Sequence, residues 1–337
     1  MVLPVPGDVE TPMTHRRVHL LEKFQVQLAT GAALAAVYFV AWRWVRPWDP
    51  EAPVVLLAGG RPGSALALAA VAIVLAVACT LVTLSSRPEG ALLAALVGAG
   101  GVSLRSPSIR ALLWRRNDAL PAMYGELIIE VLALAAVLLA VALVVDLIRA
   151  AVGAVRPNWL WRDPRGKAEP LHPDARPYSL IIGLPRAVAS TGAAAPSRPG
   201  SKNPPRHRLF ARALACLMVC LAGSTVMLAL LLQSADRGQV IFAVFASFLL
   251  GAVLAQQLFA AKHSLAVWIT PFILAVATYV LAASSAVGGE QAWMRVPFYG
   301  QVLPIDWLTA GAGGAVLGYW ISARIHEARH FERTSKP

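Results

Sequence analysis

Charged side chains are scarce in this chain. They make up 14% of its 337 residues, against about 25% in soluble domains. Lysine is scarcer still: five stand against 25 arginines. Cysteine occurs three times, at Cys79, Cys216 and Cys220. All three lie inside apolar runs, so no loop disulfide is expected and the redox compartment is unreadable from them. Cys216 and Cys220 stand four residues apart, the spacing of one helix face, and read as small packing residues.

Several motifs are also missing. No G-x-x-x-x-G-K-[ST] loop, dinucleotide-binding glycine fingerprint, C-x-x-C-H or G-x-S-x-G occurs. Nucleotide chemistry, haem attachment and serine-hydrolase chemistry therefore have no local support. The net charge of +12 would suggest nucleic acid in a soluble protein. Here the cations lie between apolar segments, where they set topology and meet anionic headgroups. Nucleic acid is not an expected partner; the lipid bilayer is.

What the chain has in abundance is apolar sequence. It is 57% hydrophobic, and those residues are gathered into runs near the 20 or so residues that span a bilayer. Eight candidates follow: 24–45, 64–84, 89–105, 124–146, 209–232, 239–261, 264–286 and 303–322. The expected fold is an all-α polytopic bundle of about eight spans. The third, "EGALLAALVGAGGVSL", is short and rich in glycine; a re-entrant hairpin there would leave seven. With eight spans and a cytoplasmic N-terminus, the inner segments hold 21 Lys/Arg and the outer ones nine, as the positive-inside rule requires. Both termini are then cytoplasmic. The expected location is a bacterial inner or plasma membrane.

The chain divides into an N-terminal segment (1–23), a first helical group (24–148), a basic linker (149–208), a second group (209–322) and a basic tail (323–337). The linker contains ten prolines between 157 and 205, which oppose helix. Its apolar exception, "YSLIIGL" at Tyr178–Leu184, is expected to dock back onto the protein. "LRSPSIRALLWRRND" places four arginines on the outer side, with Ile109, Leu112, Leu113 and Trp114 as an interfacial turn. Trp42, Trp44 and Trp48, and Tyr319 with Trp320, read as interface anchors. "GAGG" occurs at Gly98–Gly101 and Gly311–Gly314. These fall in the third and eighth segments, out of register for a tandem duplication.

Three groups of residues carry functional expectations. Glu126 and Glu130 share a helix face near the outer boundary, and ionisable groups inside spans are costly enough to suggest function. Pairing with Arg115 or Arg116 is the plain reading; a proton or cation site is the other. Gln256 and Gln257 sit toward the inner end of segment six, suited to interhelical hydrogen bonds or to lining a solute path. Pro271, after Thr270, suggests a kink. Gly314 and Gly318 form G-x-x-x-G beside Gly311, a face for close helix packing or for a homo-oligomer or partner contact. Pro304 and Asp306 fit a helix start.

The tail contains "HEARH", His326 to His330, which fits the H-E-x-x-H pattern of helical zinc sites. Such a site needs a third ligand, and only seven residues follow His330. The motif reads as the solvated end of the last helix, with His326 and His330 weak metal candidates; His15 and His19 repeat the spacing before the first span. No cofactor is expected. The leading functional expectation is a non-enzymatic membrane scaffold or partner-binding component. The alternatives are a small-solute or proton-coupled transporter and, third, a zinc-dependent membrane peptidase.

Overall fold

The computed structural model describes residues 12–49, 51–56, 62–156, 159–160, 180, 206–259, 264–285 and 291–334. Eight long helices account for most of them: α1 (Pro12–Ala36), α2 (Pro62–Val82), α3 (Pro88–Arg105), α4 (Leu120–Val155), α5 (Arg206–Leu231), α6 (Arg237–Leu258), α7 (Thr270–Ser285) and α8 (Ala312–Thr334). No strand occurs among the described residues. The protein is an all-α helical bundle. Six of its helical segments are long and apolar enough to cross a membrane: Leu21–Val45, Gly63–Val82, Asn117–Val155, Phe210–Leu231, Arg237–Leu258 and Leu265–Ser285. Large apolar side chains point away from the protein along them, including Phe39, Leu66, Leu132, Leu230, Phe242 and Leu281. In water such a surface would be a liability; in lipid it is the expected exterior.

The other two long helices are less apolar because they face protein. α3 is one continuous helix with fourteen of its eighteen residues buried, which corrects the re-entrant hairpin. Its length is about 27 Å at 1.5 Å per residue. The last helix begins at Pro304–Asp306, passes through a π-turn at Trp307–Gly311 and continues as α8. A helix wrapped by neighbours can carry the glycine, serine and acid that a lipid-facing helix avoids.

Contacts between helix ends give the directions. Gly90 approaches Val26, Gly98 approaches Ala33 and Gly101 approaches Tyr38, so α1 and α3 run parallel. Gly314 lies on Phe245 and Gly318 on Leu249, so α6 and α8 also run parallel. The ion pair between Glu22 and Arg324 brings the beginning of the first span, Leu21–Val45, and the second half of α8 to one face, here called the terminal face.

The two GAGG stretches meet although they are not a repeat. α3 and the last helix cross antiparallel at the centre, where Gly313 approaches Val97 and Gly100 approaches Thr309. The crossing joins the first helical group to the second. The glycine face of the last helix is fully used within the chain. A Cβ at Gly314 would lie 2.4 Å from the Phe245 carbonyl oxygen, and one at Gly318 would lie 2.4 Å from that of Leu249. Gly311 faces Pro271.

Other expectations shift in detail. Pro271 is the second residue of α7, after a separate turn at Leu265–Trp268. It opens a helix instead of kinking one, and Thr270 Oγ1 caps the break by donating to the Val267 carbonyl at 2.6 Å. Ile109 and Leu113 are buried in the bundle, leaving Trp114 as the exposed member of that turn. Trp44 and Trp48 are exposed as interface anchors should be, but Tyr319 is buried. Leu180, inside the apolar exception of the linker, is buried and its N–H donates to Asp146 at 3.0 Å. The rest of Tyr178–Leu184 lies outside the described residues.

Candidate functional site

The most developed polar site lies at the end of the bundle opposite the termini. Asp306 sits where the last helix begins, in the position that the helix-start pattern suggested, and its Oδ2 accepts the Leu303 N–H at 3.1 Å. Its carboxylate is fully buried. Arg237, the first residue of α6, reaches it with both terminal nitrogens: Nη1 donates to Oδ2 and Nη2 to Oδ1, each at 2.5 Å. Ser103, at the end of α3, donates its hydroxyl to Oδ1 at 2.5 Å. Its carbonyl accepts from Arg237 Nη2 at 2.9 Å. Three helices are therefore tied by one bidentate ion pair and one serine. The paired fork geometry is the strongest form such a contact takes.

Aromatic hydroxyls continue this polar layer. Tyr279 donates to the Val302 carbonyl at 2.6 Å, and Tyr124 to the Gly300 carbonyl at 2.9 Å. Their rings lie 5.8 Å apart. Both bonds hold down the segment that leads into the last helix.

The expected pair Glu126 and Glu130 divides. Glu126 is partly exposed and faces Arg116 at 3.7 Å, as the pairing reading anticipated. Glu130 is buried, and its Oε2 accepts the Leu56 N–H at 2.9 Å. Val54, Val55 and Leu56 are buried with it, so the α1–α2 connection dips into the bundle and Glu130 caps it. Arg115 pairs instead with Asp49. Asp49 lies outside the spans; the Glu51 N–H and the Arg115 guanidinium hold its carboxyl below the ordinary range.

Gln256 and Gln257 stand near the terminal face. Gln257 Nε2 donates to Ser322 Oγ at 2.7 Å, joining α6 to α8. Gln256 Oε1 lies 3.8 Å from Cys216 Sγ, and Cys220 Sγ lies 3.6 Å from Thr270 Oγ1. These are interhelical contacts, the packing role read for the amides and cysteines. They lie at the end of the bundle opposite Asp306, so the structure does not bring the four candidate transport residues together.

His326 Nε2 lies 3.3 Å from the Gln256 carbonyl oxygen, which makes it a donor there. The side chains of Glu327 and His330 lie outside the described residues, as do those of His15 and His19. Among the described residues no cluster of three His, Cys, Asp or Glu is arranged to hold a metal.

Sequence reasoning missed a second buried charge cluster, at the terminal face. Glu22, Arg87, Glu89 and Arg149 are all buried there. Glu22 pairs with Arg324 and accepts the Arg87 N–H at 3.3 Å. Arg149 donates to the Ser86 carbonyl at 2.9 Å, with Glu89, Asp146 and Glu22 as the carboxylates acting on it. No local motif announces this cluster, because its members come from α1, α3, α4, α8 and the α2–α3 turn.

An apolar gap of about 10 Å³ lies among Ala72, Leu96, Val137, Val141 and Leu308. A larger cavity, about 710 Å³, opens between α5 and α7 at the end away from the termini. No protein family, curated protein or solved structure matches the chain.

Proposed function

We propose that the protein is a non-enzymatic component of its membrane, a preformed helical frame that acts by binding a partner protein. The observation that carries this reading is the consumption of the buried Asp306 charge by Arg237 and Ser103. A group spent on tying three helices is poorly placed to bind and release an ion or a substrate. The basic linker, 149–208, and the cytoplasmic orientation expected for it make that segment the proposed partner-facing element. The glycine face on α8 is already covered by α6, which favours other surfaces for any contact with a second chain. Cross-linking in the native membrane, followed by extraction in two mild detergents, tests the reading. One protein retained at constant stoichiometry is the expected result. A partner-free chain in both detergents, with no cross-linked product, overturns it.

A second reading, proton-coupled transport, draws on the burial of Glu130. It requires that Glu130→Gln abolish a proton flux present in proteoliposomes of the wild-type protein. Absence of any wild-type flux removes it.

A further inference from the structure

The cavity between α5 and α7 takes no part in the interactions described above. At about 710 Å³ it falls within the roughly 300–1,000 Å³ of small-ligand sites. Its walls are mainly apolar, with Leu228 from α5, Leu274 and Leu281 from α7, and Met294 and Phe298 from the segment that follows. Leu274 to Leu281 covers about 10 Å along the helix axis. Ala229 and Ala277 supply the concavity by being small. Leu281, Met294 and Phe298 are 56%, 59% and 43% exposed, so the rim is open and apolar.

Of the polar side chains in this wall, Thr225, Gln233 and Thr278 each donate to a carbonyl three or four residues earlier in the chain, and Arg110 and Gln301 are the two that bear on a ligand. Arg110 lines the cavity and is exposed, and the described lining contains no acidic side chain. Gln301 lines it too and is 8% exposed. Its Nε2 donates to the Val296 carbonyl at 2.8 Å, which fixes which end of the amide is which. Among the described residues its Oε1 is buried with no donor, a state that costs free energy unless something supplies one. The cavity therefore calls for an apolar chain, an anion for the guanidinium, and a hydrogen-bond donor for Gln301.

A glycerophospholipid with an ethanolamine headgroup carries all three. We propose that the α5–α7 cavity binds one such lipid from the leaflet away from the termini. An acyl chain lies along Leu228, Leu274 and Leu281, the phosphodiester meets Arg110, and the ammonium donates to Gln301 Oε1. A choline headgroup keeps the phosphate but has no N–H to donate. This inference goes beyond the partner-binding reading. A chain without a protein partner can still select the lipid, and the converse holds, so the two fail separately.

Native mass spectrometry of delipidated protein tests it, with phosphatidylethanolamine, phosphatidylcholine and diacylglycerol of matched acyl chains as probes. The expected result is one retained phosphatidylethanolamine, bound about tenfold more tightly than phosphatidylcholine, the scale of one lost hydrogen bond to a buried acceptor. Gln301→Leu should bring phosphatidylethanolamine down to the phosphatidylcholine level and leave the latter unchanged. Arg110→Ala, at an exposed position where folding is not at risk, should weaken both phospholipids and spare diacylglycerol. Ala277→Trp, at an exposed position of the cavity wall, should exclude all three while the protein stays monodisperse. Equal binding of the three probes to wild type overturns the proposal, as does a headgroup preference that survives Gln301→Leu and Arg110→Ala. So does unchanged lipid binding by Ala277→Trp, or a native mass showing a second copy of the chain displacing the lipid.

Discussion

Arg237 and Asp306 are 69 residues apart and form a two-point ion pair, each hydrogen bond 2.5 Å long. The acid is fully buried and the Arg237 side chain is 17% exposed. Removing one partner of such a pair leaves an uncompensated buried charge, which costs about 3–5 kcal/mol. Arg237→Met should therefore lower the thermal midpoint in detergent sharply. Asp306→Asn should lower it less, because the amide keeps hydrogen-bonding capacity toward Ser103 and Leu303. The double variant should recover part of the Arg237→Met loss. Equal midpoints for Arg237→Met and wild type would show that the pair does not tie the helices.

The glycines of the last helix make a second, steric prediction. Gly314→Ala and Gly318→Ala each push a Cβ to 2.4 Å from a backbone carbonyl of α6. Backbone cannot rotate away as a side-chain tip can, so α6 and α8 must separate. A loss of about 1–3 kcal/mol is expected for each. Gly125→Ala is the matched control: it lies in α4 with nothing within 4 Å of the added atom. Alanine there should be neutral or stabilising by about 0.5–1 kcal/mol. Chemical denaturation monitored by tryptophan fluorescence separates the cases. A destabilisation equal to Gly125→Ala would mean the helices are not in contact.

How far these features were legible in the sequence depends on the range of the interaction. Apolar runs announced the helices, since lipid exposure demands them. Of the two most buried helices, α3 was the harder to read as a span, because protein contact relaxes that demand and admits its glycines with Glu89 and Ser103. The G-x-x-x-G face was visible because its spacing is local. Asp306 was visible as a helix start but not as a partner of Arg237, because nothing at either position encodes a contact 69 residues away. The terminal-face cluster was hidden for the same reason. Leu180 is the instructive middle case: an apolar island among prolines marked a docking segment, though not Asp146 as what it docks on.

The Glu130 prediction concerns a loop. Its carboxylate caps the Leu56 N–H, and an amide oxygen can accept the same bond. Glu130→Gln should keep the fold with a small change in midpoint, whereas Glu130→Leu should expose the 51–56 segment. Hydrogen exchange at Leu56 is the measurement. Faster exchange in the leucine variant, and little change in the glutamine variant, is expected. Equal protection in wild type and Glu130→Leu would remove the capping role.

The HEARH motif makes the last prediction, because its first histidine is already engaged. His326 Nε2 donates to the Gln256 carbonyl, which ties the tail of α8 to the end of α6, close to the Gln257–Ser322 bond. A helical zinc site would instead need His326 and His330 turned toward a common metal with a third ligand. Turning His326 away would cost the contact with α6. Purified protein should therefore carry well below one equivalent of zinc by elemental analysis. His326→Gln, which retains a donor, should leave the midpoint nearly unchanged, while His326→Ala should lower it modestly by freeing the tail. Stoichiometric zinc lost on His326→Gln would overturn this account and return the motif to catalysis. The opposite result fixes His326 as a helix-to-helix tether at the terminal face, next to the Glu22–Arg324 pair that closes the same end of the bundle.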